Sequence, residues 1–228
     1  QANTSEGAMY AFQGVANLVP MDGVFVNVGA ADFLVKRAGA IARARTTNDQ
    51  LSITNTVALS DGSRIGGRRI DPTKLGTDAD DNPITVLGFV SDFNLVNVNG
   101  DVSIATGKPR WPLQAWADYV NNTDANVSED TGYQIGAGIG GKKDPGDVNF
   151  SYAWQHLETD AVVSAFSDSD YARDGGTNGE GHILQLNYVP LKNLTLTSTA
   201  WIVDPIVDVE GRSKETDYRW QVDLIAKF

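Results

Sequence analysis

The side chains whose types could do chemistry are few: two histidines, His156 and His182, and the carboxylates Glu158, Asp160, Asp168, Asp170, Asp174 and Glu180 around them. An imidazole beside a carboxylate can move protons. Here, though, His156 closes one alternating segment and His182 opens the next, and isolated polar residues at such positions need no catalytic explanation. Two histidines without any cysteine cannot build a usual zinc site, and no disulfide can form. The stretch DSDYARDGG (168–176) sets oxygen ligands near the spacing of a calcium loop, but it lacks the full D-x-[DN]-x-[DN]-G pattern and its distant Glu. Calcium and a merely acidic surface loop are both compatible with it. No other cofactor and no enzyme activity is expected.

A second chemistry-bearing group is basic. Residues 36–74 hold Lys36, Arg37, Arg43, Arg45, Arg64, Arg68, Arg69 and Lys74 against three acids, Asp49, Asp61 and Asp71. The rest of the chain carries ten basic and twenty-six acidic residues. Arg43 and Arg45 share a face opposite Ala40, Ala42 and Ala44, so both could point into one channel. Opposed basic and acidic walls create a transverse field that orients polar solutes and sets ion preference. The competing reading is a solvated loop whose arginines meet lipopolysaccharide phosphates or nothing. The net charge of -11 and pI near 4.5 argue against nucleic acid as a partner.

The elements that must position these groups are strands. The 228 residues are rich in Gly, Asn, Asp, Thr and Val and contain two Met, a profile of strands and tight turns. No run of 18 apolar residues exists, which excludes a transmembrane helix and leaves a membrane strand open, since a strand needs only about ten residues with alternate positions apolar. No apolar targeting stretch follows Gln1, so any targeting peptide is expected to be gone.

Alternation with period 2 recurs along the chain. One face takes Val96, Val98 and Val102, then Leu113, Ala115, Ala117 and Tyr119, then Tyr133, Ile135 and Ile139, then Val148, Phe150, Tyr152 and Trp154, and finally Tyr218, Trp220, Val222 and Leu224. The opposite face takes Asp101, Asp118, Gln134, Asn149, Gln155, Gln185, Arg219, Gln221 and Asp223. These nine, with Arg43, Arg45, Arg64, Arg68 and Arg69, are the candidate pore-lining residues.

A soluble sandwich also alternates. Aromatic placement argues for a membrane: in antiparallel strands Trp111, Phe150, Tyr188 and Phe228 fall at one level, and Tyr119, Tyr133, Trp154 and Trp220 at the other. Two aromatic girdles around an aliphatic belt suit a bilayer with two interfaces. Connections are asymmetric too. Short turns at PMDG (20–23), GKPR (107–110), KKDPG (142–146) and PLKN (190–193) alternate with long polar segments, of which 34–91 reads as an extracellular or pore-folded loop and 157–180 as an acidic extracellular loop. The echo between NLVPMDGVFVNVGA (17–30) and NYVPLKNLTLTSTA (187–200) is then two hairpins of the short-turn rim.

The segments DNPITVLGFVSDFNLVNV (81–98), ADYVNN (117–122), DTGYQIG (130–136) and PGDVNFSYAWQHLETDAVVSAFSDSDY (145–171), with a closing strand ending in Phe228, resemble the putative porins of Gram-negative outer membranes. The resemblance covers 77–228 closely and 8–33 more loosely. It implies an all-β, antiparallel transmembrane β-barrel filling 1–228 as one domain, with nine to eleven strands here out of about sixteen. It also implies a diffusion channel for small polar solutes and ions, a homotrimer, and contact with outer-membrane lipid and lipopolysaccharide.

Nine strands are expected near 8–19, 23–33, 92–106, 110–121, 131–141, 147–157, 180–189, 193–203 and 217–228, with two further candidates at 40–47 and 50–60. If Phe228 ends in the periplasm, the strand at 8–19 runs downward, so further strands are expected before it. Two alternatives stand beside the channel: a structural barrel whose lumen houses a partner or which anchors surface structures, and a secreted carbohydrate-binding sandwich.

Overall fold

The computed structural model describes residues 7–38, 56–58, 64–65, 68–69, 87–89, 91–168, 170–172, 176–207 and 215–227. In chain order the strands are β1 (Ala8–Met21), β2 (Val24–Lys36), β3 (Thr56–Ala58), β4 (Arg64–Ile65), β5 (Arg68–Arg69), β6 (Leu87–Phe89), β7 (Phe93–Ile104), β8 (Leu113–Asn122), β9 (Thr131–Gly140), β10 (Val148–Leu157), β11 (Gly179–Leu191), β12 (Leu194–Asp204) and β13 (Asp217–Ala226). Nine of them form one sheet in the order β1-β2-β7-β8-β9-β10-β11-β12-β13, every pairing antiparallel. These are the nine strands the alternation predicts, and the protein is all-β.

The sheet is not closed among the described residues: β1 and β13 are its two edges. Because direction alternates across nine antiparallel strands, the two edge strands run the same way. Of the two additional candidates, 40–47 lies outside the described residues. Within 50–60, Thr56–Ala58 is a strand, but its partner is β6 in a separate two-stranded ladder. Arg64, Arg68 and Arg69 lie in a second small ladder, β4 with β5. Strand β2 pairs directly with β7, so neither ladder belongs to the wall.

Both echoing hairpins carry the same irregularity. The register shifts between Leu18 and Met21 in β1 and between Tyr188 and Leu191 in β11, at Pro20 and Pro190. Proline has no N–H for the ladder, and a bulge at the strand end absorbs the missing bond. The turns that follow use Gly23 (φ 78°) and Asn193 (φ 64°), two residue types that tolerate the left-handed region. At the KKDPG turn the Asp147 carboxylate accepts from the N–H groups of Lys143 (3.1 Å) and Asp144 (2.9 Å), bracing the connection 141–147 between β9 and β10.

The two faces differ in a way a soluble sheet would not tolerate. Val96, Val98, Tyr119, Tyr133, Ile135, Phe150, Leu186, Tyr188, Trp220, Val222 and Leu224 are all exposed. Tyr218, Trp220 and Leu224 each show two thirds or more of their surface. An exposed apolar surface of this extent marks contact with another apolar phase or partner. The buried residues sit on the opposite face, where Val120, Leu157, Trp201 and Val203 pack with Ala161, Tyr171 and Ala172.

Candidate functional site

Strand register gathers the nine pore-lining candidates of the wall strands on the face opposite the exposed aromatics, whereas Arg64, Arg68 and Arg69 lie in the separate β4–β5 ladder. Three rows run across the sheet there. One aligns Asp118, Gln134 and Gln155. Another aligns Ser151, Gln185, Thr199 and Gln221, and the third aligns Asn149, Asn187, Thr197 and Asp223. Asp101 stands opposite Trp116 and Arg219 opposite Trp201 on the same face. Period 2 guarantees this outcome once the pairing is fixed, because every partner of an inward residue is inward.

The polar side chains bond along these rows. Trp116 Nε1 donates to Gln134 Oε1 (2.9 Å), and Gln134 Nε2 donates to Gln155 Oε1 (2.6 Å). Asn27 Nδ2 donates to both carboxylate oxygens of Asp101 (3.1 and 2.9 Å), and Asn97 Nδ2 donates to Asp118 Oδ1 (2.8 Å). Deeper in, Thr197 Oγ1 donates to Asn187 Oδ1 (2.9 Å), while Asn187 Nδ2 donates to Gln185 Oε1 (3.0 Å) and Asn149 Oδ1 (3.3 Å). Gln185 Nε2 also donates to Thr199 Oγ1 (3.3 Å); Asn149, Asn187, Thr197 and Thr199 are buried, and these bonds satisfy groups that would otherwise be costly to remove from water.

Glycine shapes the face as well. A Cβ at Gly136 would lie 2.3 to 2.9 Å from three atoms of the Trp116 indole, so the indole fits only over a bare backbone. At Gly132 a Cβ would meet Leu157 Cδ1 at 2.5 Å and Val120 Cγ1 at 3.1 Å. The glycine face of GYQIGAGIGG is therefore the receptor for large side chains from neighbouring strands.

At the long-connection end, the segment after β10 folds onto this face. Its Ala161, Tyr171 and Ala172 join the strand residues Val120, Leu157, Trp201 and Val203, and Val163 joins Val35, Ala38, Phe89 and Phe93. Polar anchors fix it. The Tyr171 hydroxyl donates to the carbonyls of Gln155 (2.6 Å) and Gly179 (3.3 Å), and burial pushes its pKa well above the ordinary value, so it stays a donor. Buried Ser91 Oγ donates to Asp160 Oδ2, and Asn122 Nδ2 donates to the carbonyls of Asp160 (2.9 Å) and Asp92 (3.0 Å). Burial raises the Asp160 carboxyl to about 6, opposed by the Ser91 hydrogen bond and aided by nearby Glu129. From β13, Arg219 Nη1 reaches Asp170 Oδ1 at 2.8 Å. The acidic segment thus has an apolar inner side, signalled in the sequence by the run AVVSAF (161–166).

The histidines lie on the aromatic face. His156 stacks on Tyr133 (5.0 Å between centroids), with Nδ1 3.0 Å from Glu180 and Nε2 3.5 Å from Glu158. His182 Nδ1 lies 2.9 Å from the Tyr152 hydroxyl. Of the girdle candidates, Trp111, Tyr119, Tyr133, Phe150, Tyr188 and Trp220 are exposed, Trp154 is half-buried, and Phe228 lies outside the described residues, as do Arg43 and Arg45. Trp111 and Tyr119 stand eight residues apart, roughly 26 Å along an extended strand at ~3.3 Å per residue, which falls to about 20 Å of height at a tilt of ~40°. Among the described residues no three His, Asp or Glu side chains converge as a metal set.

A polar hydrogen-bonded face, an exposed apolar face and short turns at one end are now in place, and a family model described as putative porin matches residues 65–228, well over half of the chain. The chain belongs to the putative porin family. The match spans β4 to β13, so seven of the nine wall strands lie within the family region. No curated protein and no solved structure matches the chain.

Proposed function

We propose that this porin-family protein sits in a bacterial outer membrane as part of a barrel whose water-filled lumen passes small hydrophilic solutes and ions by diffusion. One observation carries the reading: from β2 to β12 side-chain hydrogen bonds run from strand to strand across one face of the sheet, and the other face is exposed and apolar. A membrane strand needs that division, because lipid takes the apolar side and water the polar side. The mechanism requires no bond chemistry. Solutes are discriminated by the width left beside the folded-in residues 158–168 and 170–172 and by wall charge.

On the polar face the described charged residues are Asp101, Asp118, Asp217 and Asp223 against Arg219, whose guanidinium is engaged by Asp170. That balance favours cations. The small residues Gly14 and Ala16, on the apolar face of β1, suit close approach of a second copy in a homotrimer.

Planar-bilayer recording of the purified protein tests the channel. Discrete conductance steps with potassium-over-chloride preference are expected, and silence at all voltages would refute the open lumen. The folded-in segment favours a second reading, a barrel whose lumen is largely filled. Conductance that appears only after residues 161–172 are deleted would select it.

A further inference from the structure

Between the polar face and the folded-in segment lies a cavity of about 500 Å³. Its walls are apolar: Phe33, Leu95 and Val120 from the strands, Val163 and Phe166 from the segment. Its floor is polar, made by Asn97, Asp118, Gln134 and Gln155. The glutamines already bond to each other, and Trp116 occupies the acceptor of Gln134. Asp118 is different. It accepts one hydrogen bond, from Asn97, and among the described residues no Lys, Arg or His lies within ion-pair distance of it.

A carboxylate beneath apolar walls, with remaining lone pairs and no cationic neighbour, is complementary to an ammonium group attached to an apolar body. The volume lies in the range of pockets that hold small organic ligands. Phe166 lines the cavity and is 65 % exposed, so it offers an entering ring an accessible aromatic surface. A sugar would bury hydroxyls against the apolar walls without partners, and an anion would face Asp118.

We propose that this cavity is a binding site for small amphipathic cations, primary amines on an aromatic or branched aliphatic body, with Asp118 holding the ammonium group and Phe33, Leu95, Val163 and Phe166 holding the body. The site rests on the channel reading for its role in permeation. It would give the lumen a preferred solute, held transiently on its way through.

Two readouts on the protein in detergent and in bilayers test it. Calorimetric titration with 2-phenylethylammonium should show saturable binding at least about tenfold tighter than neutral 2-phenylethanol, the advantage of a charge-assisted hydrogen bond. The same amine should interrupt potassium current in bilayers. Asp118→Asn should abolish the amine's advantage over the alcohol. Phe166→Ala, at an exposed position that does not threaten folding, should weaken both ligands. Equal binding of amine and alcohol, or an advantage unchanged in Asp118→Asn, would overturn the site. Absent conductance with intact amine binding would refute the channel while upholding the cavity.

Discussion

The Tyr171 hydroxyl lies 2.6 Å from the main-chain carbonyl of Gln155, so a residue of the loop segment is bonded to the strand whose side chain lines the polar face. Tyr171 is 1 % exposed and belongs to the core cluster with Val120, Trp201 and Val203. Tyr171→Phe should keep the ring packed and cost about 1 to 2 kcal/mol of segment docking through the lost hydrogen bonds. Tyr171→Ala should cost about 3 to 5 kcal/mol by leaving a cavity. Limited proteolysis within 158–178, scored as cleavage rate in detergent, separates the two.

Asp160 makes that docking pH-dependent. Its carboxyl is raised in the folded protein to about 6 from an ordinary value of 3.8, so the docked segment binds the proton more tightly than the free one. The associated stability is fully present below pH ~4 and is lost as pH rises through 6, by an amount on the order of 3 kcal/mol for a shift of about two units. Hydrogen-exchange protection factors across 158–172, corrected for the intrinsic pH dependence of amide exchange, should be larger at pH 4.5 than at pH 7.5. Asp160→Asn, which keeps an acceptor for Ser91, should flatten the profile, and an unchanged profile would assign the dependence to another group.

Gly136 and Trp116 are a matched pair. A side chain at 136 must occupy the space of the indole, so Gly136→Val should expel Trp116, break its bond to Gln134 and destabilise the wall by about 1 to 3 kcal/mol. The midpoint of heat-dependent gel mobility should fall. In the double variant Gly136→Val with Trp116→Ala it should partly recover, a coupling that unrelated sites would not show.

Neighbours in β13 test the facing of the wall. Val222 is 52 % exposed on the apolar face, whereas Gln221 bonds Asp223 on the polar face. Val222→Arg should cost about 2 to 4 kcal/mol for a charge near the middle of a bilayer. Gln221→Arg should lie within about 0.5 kcal/mol. Urea refolding into lipid vesicles measures both, and equal costs would contradict the assigned faces.

Period 2 in YRWQVDLIAKF or VNFSYAWQ is a local property of an extended chain, so nine strands and the polar or apolar side of each residue were legible without knowing any partner. The short turns were legible for the same reason: Pro20, Gly23, Pro190 and Asn193 act through their own backbone preferences. For residues 50–60 the sequence left wall strand and folded loop both open, because alternation says that a segment is extended and not which strand accepts it.

The sequence by itself thus determined the fold class, the family and the two-faced wall, since each depends on contacts within a few residues or on the repetition of one local pattern. Only the tertiary structure decided that Gly136 receives Trp116, that Ala161, Val163 and Tyr171 turn inward from an acidic loop, and that Asp118 floors an apolar cavity. Those facts depend on strand register and on packing between residues some 20 to 130 positions apart, which no local pattern in the sequence encodes.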